Sequence, residues 1–360
     1  MMRKKEKKGA TLVWIFVRIY IPCLLLFSGY QFHLHSHTKP TVIYKSNPHR
    51  KQRINKNFHR GSSGTTLKRK QSPSFTIFYN AFVNPTNFNQ SLRIIKEQLT
   101  QVQNSTHRNT PLYYNLIGQN VSDSSICPDG MKCHRIRYLP KGEEVTTLQD
   151  LYEYCIDHPL HAVVYLHDKG SFNPSGNNHR MRKLATASAV SSACRTSMHN
   201  SQKCNLCVNK FQFLPNHHTS GAMWTGNCSY LKRLIPPKDF DARRQEMFRA
   251  VRTNETLLQE LHCVKKLVDN FEEGKSFGGD QWKYMSVNRY AMEHWAFSSP
   301  DLQPCMTVKN EMLKINPTKW QPNSTFEVGP PKFQYERATA TGWYQLEGRQ
   351  WEYQYLYGRL

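Results

Sequence analysis

The chain has 360 residues and a formal net charge of +23, long enough for one large domain or two modest ones. The charge first suggests a nucleic-acid partner, but residues 1–70 carry 16 of the 49 Lys and Arg against one acid, Glu6. The remainder holds a small excess of bases, and no RNP-like, helix-turn-helix or spaced zinc-finger pattern accompanies it, which excludes nucleic-acid binding as a class.

A basic stretch, Met-Met-Arg-Lys-Lys-Glu-Lys-Lys, opens the chain and an apolar run, Thr11 to Tyr30, follows at once. Such a run is the length of a membrane-spanning helix, and the flanking bases favour a cytosolic N-terminus. Arg18 can snorkel toward the cytosolic face and Pro22 is tolerated in a spanning helix. The rival reading is a cleaved signal peptide with Ile19–Phe27 as its apolar region and a cut near Ser28-Gly29. Either reading delivers the rest to the secretory lumen. The expected organisation is a cytosolic basic tail (1–10), a transmembrane signal-anchor (11–30) and a disordered basic stem (31–72), poor in large apolar residues. A folded domain (73–308) and an aromatic C-terminal extension (309–360) complete it. The localisation implied is a single-pass type II protein of the Golgi or endoplasmic reticulum membrane.

Within the folded part the first strand is Phe75–Phe82, rich in aromatic and branched residues. Asn89 to Val102, with Leu92, Ile95, Leu99 and Val102 at helical spacing, predicts a helix. Leu112–Ile117 is a second strand ending at Gly118, and His134–Leu139 a third, with outward bases between inward apolar residues. Thr147 is expected to cap a helix through Leu148, Leu151, Tyr152 and Cys155. His161–Leu166 is a short apolar run of the kind found in central parallel strands. Repeated β-α-β units imply an α/β fold, a mixed, mostly parallel sheet with helices on both faces. Ligands of such sheets bind beyond the carboxyl ends of the strands.

Three stretches carry candidate chemistry. His167-Asp168-Lys169-Gly170-Ser171 follows the apolar strand directly. Lys169 supplies a point charge for a phosphate and Gly170 lets the backbone approach a ligand; an ordinary polar turn is the plainer reading. His217-His218-Thr219-Ser220-Gly221 and Trp224 could line a sugar site, or form a rigid loop packed on the core. Asp280, after Gly278-Gly279, and Glu293, before His294-Trp295, are candidate general bases, though a lone acid more often serves a structural partner.

Ten cysteines are present. Outside Cys23 nine remain, and in an oxidising lumen most should pair, with one left over. Cys204-x-x-Cys207 could bind zinc with Cys194 and His217-His218, but disulfides fit the setting better. Asn-x-Ser/Thr sequons stand at Asn89, Asn104, Asn120, Asn227, Asn254 and Asn323. All are glycosylation candidates except Asn227, whose sequon contains Cys228.

The order of these motifs resembles a group of GT-A-fold glycosyltransferase-like proteins, including luminal algal and protist proteins and, more distantly, bacterial rhamnan-synthesis-type glycosyltransferases. The matching residues are Tyr165, His167, Lys169 and Gly170, then Arg180 and Arg182. His218, Gly221, Met223, Trp224, Tyr230 and Leu234 continue the pattern, and Glu293, Trp295, Ser298 and Pro300 close it.

The resemblance implies a Rossmann-related GT-A-like fold and a hexosyltransferase-like enzyme that moves a sugar from a nucleotide-sugar donor to a glycan or glycoprotein acceptor. His167, Asp168, Lys169, Gly170 and Arg180 would bind the donor. His217, His218, Thr219, Ser220, Gly221 and Trp224 would shape the sugar and acceptor pocket, and Glu293 or Asp280 would act as base. A departure is the lack of an Asp-x-Asp at a strand end, since Asp239-Phe240-Asp241 follows Pro236-Pro237 and reads as structural. Asp168 alone would then hold Mn²⁺ or Mg²⁺, or Lys169 and arginines would neutralise the diphosphate without metal. The alternative function is a catalytically inactive carbohydrate-binding or structural luminal glycoprotein.

Overall fold

The computed structural model describes residues 73–199, 204–212, 217–219, 221–253, 287–307 and 352–358. The run Thr11–Tyr30 and the stem, Ser220, Asn254, Cys263, Asp280, Asn323 and most of the C-terminal extension lie outside them. No helix among the described residues is long and apolar enough to cross a membrane.

Nine strands and eight α-helices follow one another through residues 73–307 of the described chain, and a further helical stretch covers 352–357. β1 (Phe75–Val83), α1 (Phe88–Gln103), β2 (Leu112–Gly118), a short α2 (Asp123–Ile126), β3 (Cys133–Leu139), α3 (Glu144–Asp157), β4 (Ala162–His167) and α4 (Gly176–Ala189) come first. Then follow α5 (Ser192–Ser197), β5 (Leu206–Val208), β6 (Phe211–Gln212), β7 (His218–Thr219), β8 (Trp224–Asn227), α6 (Cys228–Leu231), α7 (Pro237–Thr253), α8 (Ala291–Trp295) and β9 (Pro304–Met306). Seven strands form one sheet in the order β3-β2-β1-β4-β8-β5-β9, and β6 pairs with β7 apart from it. Neighbours in that sheet run parallel except β8, which is antiparallel to both β4 and β5. The mixed, mostly parallel sheet expected from the β-α-β pattern is therefore present.

Strand alternation explains the two cores. On one face of β1, Ile77, Tyr79, Ala81 and Val83 pack with Ile95, Leu99 and Val102 of α1 and Ala185 and Ala189 of α4. On the other, Phe78 joins Val163 and Tyr165 of β4, Leu148 and Leu151 of α3, and Trp224, Phe240 and Trp295. β4 is buried at all six positions, which is why its sequence is a continuous apolar run. β1 lies between β2 and β4, so successive connections leave it in opposite directions, and the carboxyl ends of β1 and β4 flank a topological switch point.

Two local expectations need correction. α3 begins at Glu144, and Thr147 is buried within it, donating from Oγ1 to Asn80 Oδ1 at 2.7 Å. In β3 the register against β2 shifts between Tyr114 and Asn115, whose partners are Arg135 and Arg137. The irregularity at Ile136 accompanies ion pairs from Arg135 to Asp123 and from Arg137 to Asp150, and Ile136 and Tyr138, expected to face inward, are exposed alongside Arg137.

Disulfides join Cys127 to Cys133, Cys155 to Cys228, Cys194 to Cys207 and Cys204 to Cys305. Cys204 and Cys207 thus belong to different bridges and form neither a zinc pair nor a redox pair. The last described stretch, 352–358, folds back on the domain. There Leu356 enters the core with Trp295 and Phe297, and Tyr357 reaches Ser298 Oγ at 2.5 Å.

Candidate functional site

β4 ends at His167, and the chain turns at once through Asp168 to Ser171. The Ser171 amide donates to Asp168 O at 3.0 Å, and Gly170 adopts φ +97. A Cβ there would also sit 3.2 Å from Arg182 Nη1, so the turn requires glycine. Arg182, 2% exposed, donates to Lys169 O at 2.8 Å and pairs with Glu97 at 3.3 Å. Gln98 Nε2 donates to His167 O at 2.9 Å. Side chains from α1 and α4 therefore hold the main chain of the turn.

Asp168 is 5% exposed and its Oδ2 accepts from the Phe82 amide at 3.1 Å and from Ser171 Oγ at 2.6 Å. One carboxylate oxygen thus bridges the ends of β1 and β4 at the switch point. Burial pushes its pKa up to about 6, and the Ser171 hydroxyl, the His167 ring and the Phe82 amide offset part of that rise. Phe172, 75% exposed, lies beside Phe82 with ring centroids 6.3 Å apart.

His167 has both ring nitrogens engaged. Nδ1 lies 2.8 Å from Glu144 Oε1, and Nε2 lies 2.6 Å from Gly221 O. Tyr165 Oη donates to the other Glu144 oxygen at 2.9 Å. Burial pulls the His167 pKa down, but the Glu144 carboxylate outweighs it and the net direction is upward. For Glu144 burial acts upward, and the His167 charge and hydrogen bond carry the net direction downward.

Past the short β6–β7 pairing, Thr219 Oγ1 donates to Lys210 O at 2.8 Å, and the Ala222 amide closes a turn on Thr219 O at 3.1 Å. Gly221 and Ala222 both take positive φ, +94 and +48. A Cβ on Gly221 would lie 3.6 Å from Lys169 Cδ, so the lysine stem runs over this glycine and the two motifs meet. Behind the loop, His294 of α8 places Nδ1 2.7 Å from His217 O and Nε2 2.9 Å from Glu352 Oε1. Glu293, half-buried, is its neighbour in the first turn of α8.

The structure therefore brings His167, Asp168, Lys169, Gly170 and Gly221 together, with His217, His218 and Thr219 continuing the loop and Glu293 on the helix behind it. Trp224 is a core side chain. It is 1% exposed, paired in register with Tyr165 and packed 6.3 Å from the Trp295 ring, because all four β8 positions are buried. Arg180 is exposed, and the engaged arginine is Arg182. Asp241 accepts from the Asn288 amide at 2.5 Å and from Gln245 Nε2 at 2.8 Å, a structural duty. Asn89, Asn104 and Asn120 are exposed, whereas Asn227 is buried.

Sequence reasoning missed Glu97, Gln98, Glu144, Arg244 and Glu352, which act through partners far along the chain. Among the described residues no group of three or more His, Cys, Asp or Glu is arranged to hold a metal. Asp168 brings one carboxylate, and Glu144, bound to the adjacent His167, has both oxygens engaged. Among the described residues that set offers Asp168 as the single carboxylate, so Mn²⁺ or Mg²⁺ would be held by Asp168 together with the phosphates of a donor and not by a protein-built cage.

The model of a family described as "Domain of unknown function (DUF8361)" matches residues 78–360. No curated protein matches the sequence. Among solved structures, a cytidylyltransferase from Leptospira borgpetersenii serovar Hardjo-bovis is similar with 13% identity and a TM-score of 0.26, over 55% of this chain and 72% of that one. A chain described as a nucleotide-diphospho-sugar transferase from Desulfovibrio desulfuricans G20 is similar with 8% identity and a TM-score of 0.25, over 56% and 99%. Likeness at these scores carries nothing about the reaction.

Proposed function

We propose, from the premise that the chain belongs to the DUF8361 family, that it is a glycosyltransferase using a nucleotide-sugar donor and a glycan or glycoprotein acceptor. The observation that carries this reading is the buried Asp168 at the switch point, bridged to β1 through the Phe82 amide and followed by Lys169 and a glycine turn. A phosphorylated ligand lying across the ends of β1 and β4 meets the Lys169 ammonium as a point charge and the turn's backbone at close range. Exposed Phe172 offers an aromatic face for a base or sugar ring. Glu293, beside the 217–221 loop, serves as base toward the acceptor hydroxyl if transfer inverts, and Asp280 is the other candidate. Four disulfides and three exposed sequons support a luminal domain, and the run Thr11–Tyr30 supports a single-pass type II anchor in the Golgi or endoplasmic reticulum.

The test is nucleotide release and sugar transfer by the purified full chain offered UDP-, GDP- and dTDP-sugars, with and without Mn²⁺. Turnover of one donor, lost in folded Asp168→Asn and Glu293→Gln proteins, is the expected result. Silence across the panel, with no nucleotide binding by calorimetry, would overturn the reading.

A further inference from the structure

Two buried histidines share an unusual arrangement. His167 at the end of β4 is 7% exposed and His294 in α8 is 0% exposed. Each ring has a carboxylate on one nitrogen, from Glu144 or Glu352, and a main-chain carbonyl on the other. The carbonyls belong to His217 and Gly221, which stand on either side of β7. Each carboxylate is anchored in turn, Glu144 by the Tyr165 hydroxyl and Glu352 by the fully buried Arg244. A carbonyl oxygen only accepts, so each ring must donate to the loop.

The turn at Gly221-Ala222 is conformationally costly. Gly221 at φ +94 is followed by a non-glycine left-handed residue, Ala222 at φ +48 and 2% exposed. Such backbone persists only where the surroundings over-determine it.

We propose that His167 and His294 are positioning residues, a two-point clamp that fixes the main chain at His217 and at Gly221, on either side of β7, and so holds Gly221 beneath the Lys169 stem. One arm runs from α3 through Glu144 and His167. The other runs from the C-terminal stretch through Glu352 and His294, which makes residues 352–357 part of the site's support and not a separate appendage. That the loop walls a donor or acceptor pocket rests on the transferase reading above; the clamp itself does not.

Hydrogen–deuterium exchange of the full chain, read by mass spectrometry without any nucleotide sugar, tests the clamp apart from that reading. His167→Gln should speed exchange in peptides covering 221–223, where the Ala222 amide reports, and in 168–171. His294→Gln should do so in 217–219. The expected acceleration is roughly tenfold to a hundredfold, the loss of one charge-assisted hydrogen bond. Peptides of β1 and β2 should match wild type. Glu144→Gln and Glu352→Gln, which keep the rings, should reproduce the same local patterns and stand in where a histidine variant fails to fold. Unchanged loop exchange would overturn the clamp. So would loosening of the whole sheet in both members of a pair, because the ring would then be holding the core. A silent donor panel with local loosening intact would sink only the transferase reading.

Discussion

Replacing Asp168 with Asn should make the protein more stable near neutral pH while abolishing transfer. An unfolded aspartate titrates near 3.9, roughly, whereas burial raises Asp168 to about 6 in the folded chain. Between those values the native state holds a proton that the unfolded chain has released. Stability therefore falls as pH rises from about 4 to about 6, and the full penalty persists above that window. A shift of about two units corresponds to about 3 kcal/mol. Asn keeps the volume, and its Oδ1 can still accept from the Phe82 amide and the Ser171 hydroxyl, so the hydrogen bonds that partly offset the penalty survive. Urea unfolding followed by tryptophan fluorescence should show Asp168→Asn ahead of wild type by up to about 3 kcal/mol at about pH 7.5. At about pH 4 the gap should close to roughly 0.5 kcal/mol. A variant no more stable than wild type at neutral pH, or an advantage of equal size at both pH values, would refute the reasoning. The pairing of gained stability with lost turnover is what a site residue kept for function predicts.

Two further perturbations probe the scaffold. Replacing Cys155 and Cys228 together by Ala opens a bridge of sequence separation 73 between α3 and α6 and should cost about 4 kcal/mol in urea unfolding; a cost under about 1 kcal/mol would show that the unfolded chain gains little freedom from losing that bridge. Gly118→Ala should destabilise by at least about 2 kcal/mol, because φ is +90 and a Cβ would lie 2.3 Å from Val83 O, the acceptor of the Gln119 amide. Gly176→Ala, where a Cβ meets nothing within 4 Å, is the control and should be neutral or slightly stabilising.

What could be read from the residues follows a physical division. β1, α1, β2 and β4 are self-consistent over a few residues: an apolar run, a helical stripe, a terminating glycine. The bounds these patterns predict lie within one or two residues of those observed. β3 was placed, but its faces were not, because the irregularity at Ile136 depends on the partner strand. Trp224 has the composition of a sugar platform, yet the register of β8 against β4 sends it into the core. The HDKG turn could be located because it follows the one continuous apolar strand, but its supports could not. His167 reaches Gly221 over 54 residues and His294 reaches Glu352 over 58, separations at which no local pattern survives.

The pair His167-Asp168 concentrates that limit in two adjacent positions. Both are polar, both buried, and a linear reading gave them one role at the donor. The end of β4 instead sends the histidine toward α3, where Glu144 and Gly221 use both of its nitrogens, and turns the aspartate onto the end of β1. A charge whose partners are complete contributes shape. One that retains a raised pKa at the mouth of a switch point contributes chemistry. The two variants should therefore fail differently: His167→Gln through a loosened loop, with the aspartate's pKa pushed further up by loss of the ring's charge, and Asp168→Asn through lost turnover in a protein that is firmer than before.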